Sequence, residues 1–345
     1  MINLTNRREL IKMHDSSIGR SVKQICWLLT LVLIIACFSG CGQEKVDSDS
    51  VSEKKLNIVA TIYPLFEFSS RITGDKASVV QLLPAGSEPH HWEPSPTDMK
   101  LIYDAQVFVY HGADMEPWVD KILPVLRERD IKIIKSTEKV ELLTFEEEES
   151  LGLTKFLGSR RADGHENHGG HGSFDPHVWL DPLQAKNMVS FIAEEIAEAD
   201  TVNADYYRQN AQEVLGELDQ LHQEYNAAAS GFQNRDFVVS HAAFGYLAHR
   251  YKLCQIPILG LTPEQEPDAA TMASVIDFVR RQNVDLIFYE AMVSPKVAET
   301  IAQETGTEIL ELHPIGAITE EERGEGVGYF NLMRHNLINL KKALE

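Results

Sequence analysis

Residues Ala204 to Ala229 read ADYYRQNAQEVLGELDQLHQEYNAAA, and this stretch organises the chain around it. Val214, Leu215, Leu218, Leu221 and Tyr225 recur at helical spacing and so share one side of a helix. At 1.5 Å per residue the helix reaches roughly 40 Å, long enough to bridge two lobes. Before it, strands are expected at 56–63, 79–83, 107–110 and 131–134. Helices are expected from Pro64 to Gly74, from the Ser95 cap to Asp104, at 116–128 and at 182–199. After it come strands at 237–240, 255–259, 284–289 and 308–312, with helices at 242–249, 268–282, 295–304 and 329–343. Strands alternating with helices make parallel sheets, so the expected fold is α/β with two parallel-sheet lobes. The expected boundaries are 56–200 for the first lobe, 201–231 for the connecting helix and 232–345 for the second lobe. The pattern lapses over 146–173, where the acids at 146–149 read as a solvated run. There the Gly/His segment at 164–172, with His165, His168 and His171, reads as a mobile loop.

The chain has 345 residues, 43% hydrophobic and 24% charged, with 21 Gly and 14 Pro, which excludes disorder, collagen-like repeats and a multispanning membrane protein. A formal charge of −20 repels phosphate backbones, so nucleic acid is excluded as a partner. The longest apolar run, residues 27–38, is too short for the roughly 20 residues of a spanning helix and fits the core of a signal peptide. Arg7, Arg8, Arg20 and Lys23 precede it, and Ser39 and Gly40 lead to Cys41. Phe38 to Cys41 is similar to a bacterial lipobox, whose Cys receives a diacylglycerol and becomes the mature first residue. Ile34 to Cys37 competes, but the polar tether at 41–55 begins at Cys41. Residues 1–40 are therefore the expected leader, and the exported domain keeps one further thiol, Cys254, with no disulfide framework.

Four histidines stand at the ends of expected strands or in the loops beyond them: His90, His177, His241 and His313. Ligands bind at the carboxyl ends of strands in open α/β sheets, and converging imidazoles suit zinc, copper or nickel. His90 lies in PHHWEPSP, where prolines restrict the backbone. His177 lies in DPHVWLDP, between Asp175 and Asp181. Either acid can accept the second N–H of an imidazole, although Asp181 before Pro182 reads better as a helix N-cap.

Taken together, PHHWEPSP from Pro89, VYHGADMEPWVDK from Val109, DPHVWLDP from Asp175, VSHAAFGYLA from Val239, PEQEPD from Pro263 and VSPKVAETIAQETG from Val293 resemble the ZnuA/TroA-like (cluster A-I) metal-binding lipoproteins, the solute-binding components of zinc/manganese ABC importers. The resemblance covers essentially the whole mature chain. It implies a monomeric, lipid-anchored extracytoplasmic receptor whose long helix is rigid. A divalent metal would be held in the cleft between the lobes and delivered to an ABC permease. By motif it gives His90, His177 and His241 as metal ligands. For the fourth place His313 is preferred over Glu290 or water, because Gly316 stands where relatives can carry Glu. His111, where the family commonly has Asn, becomes a group behind the ligands, and the loop histidines match the zinc-specific branch.

Three imidazoles with a fourth N or O donor favour Zn²⁺ over Mn²⁺, and proton competition is expected near pH 6.5. A zinc hydrolase with Glu93 or Glu290 as base is the alternative from another class. No HExxH motif is present, and the expected answer is not an enzyme. A manganese receptor or a surface adhesin of the same lipoprotein type is the other alternative.

Overall fold

The computed structural model describes residues 55–157, 174–260, 262–263 and 267–345. The leader, Cys41 and His165, His168 and His171 lie outside the described residues. Residues Lys55–Glu345 make one compact unit. Its first half runs β1 (Leu56–Ala60), α1 (Tyr63–Thr73), β2 (Ala77–Gln81), α2 (Pro96–Asp104), β3 (Val107–Tyr110), α3 (Val119–Arg127), β4 (Lys132–Lys135) and α4 (Phe145–Ser150). Then follow α5 (Pro182–Ala199) and the long α6 (Ala204–Ala229). The second half runs β5 (Asp236–Val239), α7 (Gly245–Tyr251), β6 (Cys254–Pro257), α8 (Ala269–Gln282), β7 (Leu286–Tyr289), α9 (Lys296–Thr305), β8 (Glu308–Glu311), α10 (Glu320–Glu325) and α11 (Tyr329–Leu344).

Both sheets are four-stranded and parallel, in the orders β2-β1-β3-β4 and β6-β5-β7-β8. In each, the chain leaves the first strand for one neighbour and returns on its other side. This puts a switch point at the carboxyl ends of β1 and β3, and of β5 and β7, where α/β sheets bind ligands. The residues just past these strands are Thr61, His111, Ser240 followed by His241, and Glu290.

Helix α6 buries Tyr207, Ala211, Val214, Leu218, Leu221 and Tyr225, spaced three and four apart. Each large apolar side chain buried this way contributes about 1.5–3 kcal/mol, so packing holds the helix in place. It lies on α1 and α5 of the first lobe and reaches α7 and α11 of the second. The Tyr225 hydroxyl donates to Met333 O at 2.6 Å, and Asn210 donates to Ile72 O at 3.0 Å. One continuous core runs from Ile58 and Phe68 through Trp179 and Leu218 to Phe237 and Met333.

Two expectations need correction. The run at 146–149 is not a solvated loop: Thr144 and Glu147 form a capping box that starts α4, and Glu148 is fully buried. Helix α3 starts at Val119 rather than Glu116 because the Glu116 carboxylate turns back. It accepts the backbone N–H groups of His111 and Gly112, both at 2.9 Å, and the Thr61 hydroxyl. It thereby ties down a left-handed turn with φ of 81° at Gly112, 48° at Ala113 and 64° at Asp114. Burial pushes the pKa of Glu116 up to about 7. Short α10 was not expected; it has the same box, made by Thr319 and Glu322.

Candidate metal centre

His177 sits at the N-terminus of a single 3₁₀ turn, Val178–Leu180, after Asp175 and Pro176. Its Nδ1 lies 2.7 Å from Asp175 Oδ1, which also accepts the His177 backbone N–H at 2.9 Å. Asp175 is itself buried beside Glu148. Burial, and then the charge of Asp175, push the Glu148 pKa far up, so Glu148 keeps the proton and Asp175 remains an acceptor. Glu148 Oε2 also accepts the Thr154 hydroxyl at 2.8 Å and Gln255 Nε2 at 3.4 Å. Gln255 Oε1 takes the Phe244 N–H at 2.9 Å. The His177 support is thus built from both lobes.

His241 follows β5. Across the switch point Glu290, just past β7, accepts the His241 Nδ1–H at 2.6 Å and its backbone N–H at 3.2 Å. Each ring therefore donates Nδ1–H to a buried carboxylate, which leaves Nε2 of both with a bare lone pair. These two Nε2 atoms are 3.4 Å apart. A tetrahedral ion with bonds of 2.0–2.1 Å needs ligand atoms about 3.3–3.4 Å apart. Two facing lone pairs at that distance repel unless a cation lies between them.

His90 joins them from the loop between β2 and α2, its ring 5.1 Å from His177 and 5.6 Å from His241, centroid to centroid. One nitrogen from each of His90, His177 and His241 lies within 4.8 Å of the others. They border a cavity of about 20 Å³, room for one ion or water-sized body. Burial, and then the neighbouring His241, hold the His177 pKa well below 6.5, so its lone pair is free over a wide pH range.

The structure does not bring His313 into this trio, although it lines the same cavity. Its Nδ1 accepts the Ile315 N–H at 2.9 Å, so in the neutral ring Nε2 carries the proton, 3.4 Å from Glu322 Oε1. Neither nitrogen offers a lone pair to the cavity. Glu290 is likewise engaged by His241 through Oε1. His111 stays behind the site: its Nε2 donates to Pro176 O at 2.7 Å and its Nδ1 accepts the Ser136 hydroxyl at 3.2 Å. Burial lowers its pKa to about 3, so it acts as a neutral peg beside His177. Asp181 caps α5 through the Leu183 N–H at 2.9 Å and pairs with Arg250. Two residues of the site were missed in the sequence. Glu148 was hidden in an acidic run; Glu88, which lines the cavity, repeats ahead of His90 the acid-Pro-His spacing of Asp175, Pro176 and His177.

Two parallel-sheet lobes bridged by a packed helix, with histidines gathered between them, define the class of two-lobed solute receptors built for a metal ion. The model of the family described as "Zinc-uptake complex component A periplasmic" (ZnuA) matches residues 58–343. The chain belongs to that family. It is 36% identical over 318 residues to the high-affinity zinc uptake system protein ZnuA of Bacillus subtilis, covering 91% of this chain and 97% of that protein. It is 35% identical over 324 residues to the zinc-binding lipoprotein AdcA of Streptococcus pneumoniae, covering 94% of this chain but only 62% of AdcA. The crystal structure of the Zn(II)-bound ZnuA-like domain of AdcA matches with a TM-score of 0.71 and 35% identity, over 84% of this chain and 99% of that one. A laminin-binding protein of Streptococcus agalactiae, described as bifunctional with adhesin and metal transporting activity, matches at 29% identity and a TM-score of 0.71, over 84% of this chain and all of that one.

Proposed function

We propose that this protein is the extracytoplasmic receptor of a zinc importer, binding one Zn²⁺ through His90, His177 and His241 and passing it to an ABC permease. The observation that carries this reading is the pair of bare Nε2 atoms 3.4 Å apart, each ring fixed by a buried carboxylate. That spacing suits a small tetrahedral ion. Mn²⁺, lowest in the divalent affinity order, prefers more oxygen donors. A hydrolase would need a free base. Glu290 is bound to His241, and Glu93 lies at the surface 3.9 Å from Lys121 Nζ. Carriage is the better account. An adhesin role would rest on the laminin-binding relatives alone.

Competition calorimetry on the purified protein is expected to give one tight Zn²⁺ equivalent that Mn²⁺ does not displace. The proton competition expected near pH 6.5 should not come from His177, whose lowered pKa keeps that ring neutral to lower pH. Tighter binding of Mn²⁺ than of Zn²⁺ contradicts this site.

We place the anchor at Cys41, which lies outside the described residues. No helix among the described residues is long and apolar enough to cross a membrane. Cys41→Ser should therefore move the protein from the membrane fraction to the medium or leave it unprocessed. Retention as processed, lipid-labelled protein would move the anchor to another cysteine.

A further inference from the structure

The switch point of each sheet is filled by a buried glutamate, Glu116 in the first lobe and Glu290 in the second. Glu290 holds a ligand directly, through the ring and the backbone N–H of His241. Glu116 instead holds the backbone of His111, which stands behind the site. We propose that Glu116 is a positioning residue for zinc: it fixes the turn at 111–114, and that turn grips the segment at 174–176 that aims His177. This rests on the three-histidine reading of the site.

The Glu116 carboxylate lies across the carboxyl ends of β1 and β3. Its Oε1 accepts the Thr61 hydroxyl and the His111 N–H, the latter at 2.9 Å, and its Oε2 accepts the Gly112 N–H at 2.9 Å. Both oxygens thus face a backbone donor. An amide in this place would set its own N–H against a backbone N–H whichever way it turned. The turn needs these bonds, because Ala113 and Asp114 lie in the left-handed region, at φ of 48° and 64°, where a side chain is strained. Thr137 adds a tie from the next strand end, its hydroxyl donating to His111 O at 2.8 Å.

The turn presents two groups to the 174–176 segment, one on each side of Asp175. His111 Nε2–H donates to Pro176 O at 2.7 Å, and Asp114 Oδ2 accepts the Phe174 N–H at 3.4 Å. Asp175 between them donates its N–H to Leu143 O at 2.9 Å and holds the His177 ring through Oδ1. A displacement of the segment therefore turns the imidazole with it. Zinc–ligand distances hold within about 0.2 Å of their standard values, so a small displacement matters. The His111 ring is fully buried and edge-on to Trp179, 5.0 Å between centroids. A movement of its backbone finds no empty space and passes to Pro176.

The test is a double-mutant cycle on the intact purified protein, read as Zn²⁺ affinity by chelator competition at pH 8, above the Glu116 pKa of about 7. Glu116→Gln is expected to weaken zinc about 10-fold, the low end for loss of a group behind the ligands. In a His177→Ala background the same substitution should change zinc affinity by less than about 2-fold, because the residue it positions is gone. His111→Phe keeps a ring in place and removes the donor to Pro176 O. It should give the same His177-dependent loss, and it tests the grip even where Glu116→Gln does not fold. A merely structural role would lower the metal-free melting temperature while leaving the zinc affinity of the folded variants unchanged, or would weaken zinc equally with and without His177. Either result overturns the proposal. Absence of tight Zn²⁺ binding in wild type would instead overturn the histidine reading itself.

Discussion

His177→Ala is expected to weaken zinc binding by roughly 3–4 kcal/mol, about a quarter of the 10–16 kcal/mol typical of a four-ligand zinc site. At 1.4 kcal/mol per tenfold this is two to three orders of magnitude in dissociation constant. His177 is the ligand to remove because it is buried and its Nε2 is 3.4 Å from that of His241. The melting temperature reports the same loss. Zinc at 1,000 times the wild-type dissociation constant stabilises the folded state by about 4 kcal/mol, whereas a site some 300-fold weaker gains under about 1 kcal/mol at the same concentration. The metal-free variant should also be less stable than wild type, since Asp175 Oδ1 loses its ring donor inside the core and keeps only the backbone N–H. Direct titration decides the matter: a variant that still binds zinc with wild-type affinity has no first-lobe imidazole on the metal at this position.

Much of this arrangement was legible in the sequence, and what escaped has a physical reason. Helix α6 was read at its observed limits because its buried face repeats every three and four residues without interruption. The Ser95 cap was legible because Ser, Pro and Asp at those spacings satisfy orphan N–H groups locally. His90 and His177, in loops, were picked out as ligands by their motifs, whereas His241 was legible because it follows a strand end, and strand ends converge at a switch point. His313 fits that rule equally well. What separates it is the Ile315 N–H on its Nδ1, a contact between neighbouring residues in a loop with φ of 60° at Ile315, which no spacing records. Glu148 escaped for the opposite reason. Four consecutive acids look like a solvated face, and only the tertiary partners Asp175, Thr154 and Gln255 turn one of them inward. Local propensity locates the elements, whereas the protonation pattern that makes a ligand set depends on contacts between distant segments.

Trp179→Ala is the substitution expected to cost the fold most, about 3–5 kcal/mol for emptying a fully buried indole site. More is lost than volume. The indole Nε1–H donates to Pro314 O at 2.8 Å, so the ring binds a first-lobe turn to the second lobe, and the backbone carbonyl of Trp179 accepts the hydroxyl of buried Tyr329. Deleting the indole leaves the half-buried Pro314 O without that donor, a further loss of up to about 1–3 kcal/mol where no water replaces it. Trp179→Phe separates the two contributions: it keeps most of the apolar contact and removes only the donor, so it should cost about 1–3 kcal/mol. The ring also walls the site, with its centroid 5.5 Å from that of His177 and 5.0 Å from that of His111. Both Trp179 variants should therefore loosen zinc, but by less than His177→Ala, because the ligand remains and only its orientation is freed. Denaturant unfolding of the metal-free protein measures the first effect and calorimetry the second. If metal-free Trp179→Ala unfolds within 1 kcal/mol of wild type, the indole is not the joint between the lobes, and the cleft must be held by α6 and the bonds around Glu148 instead.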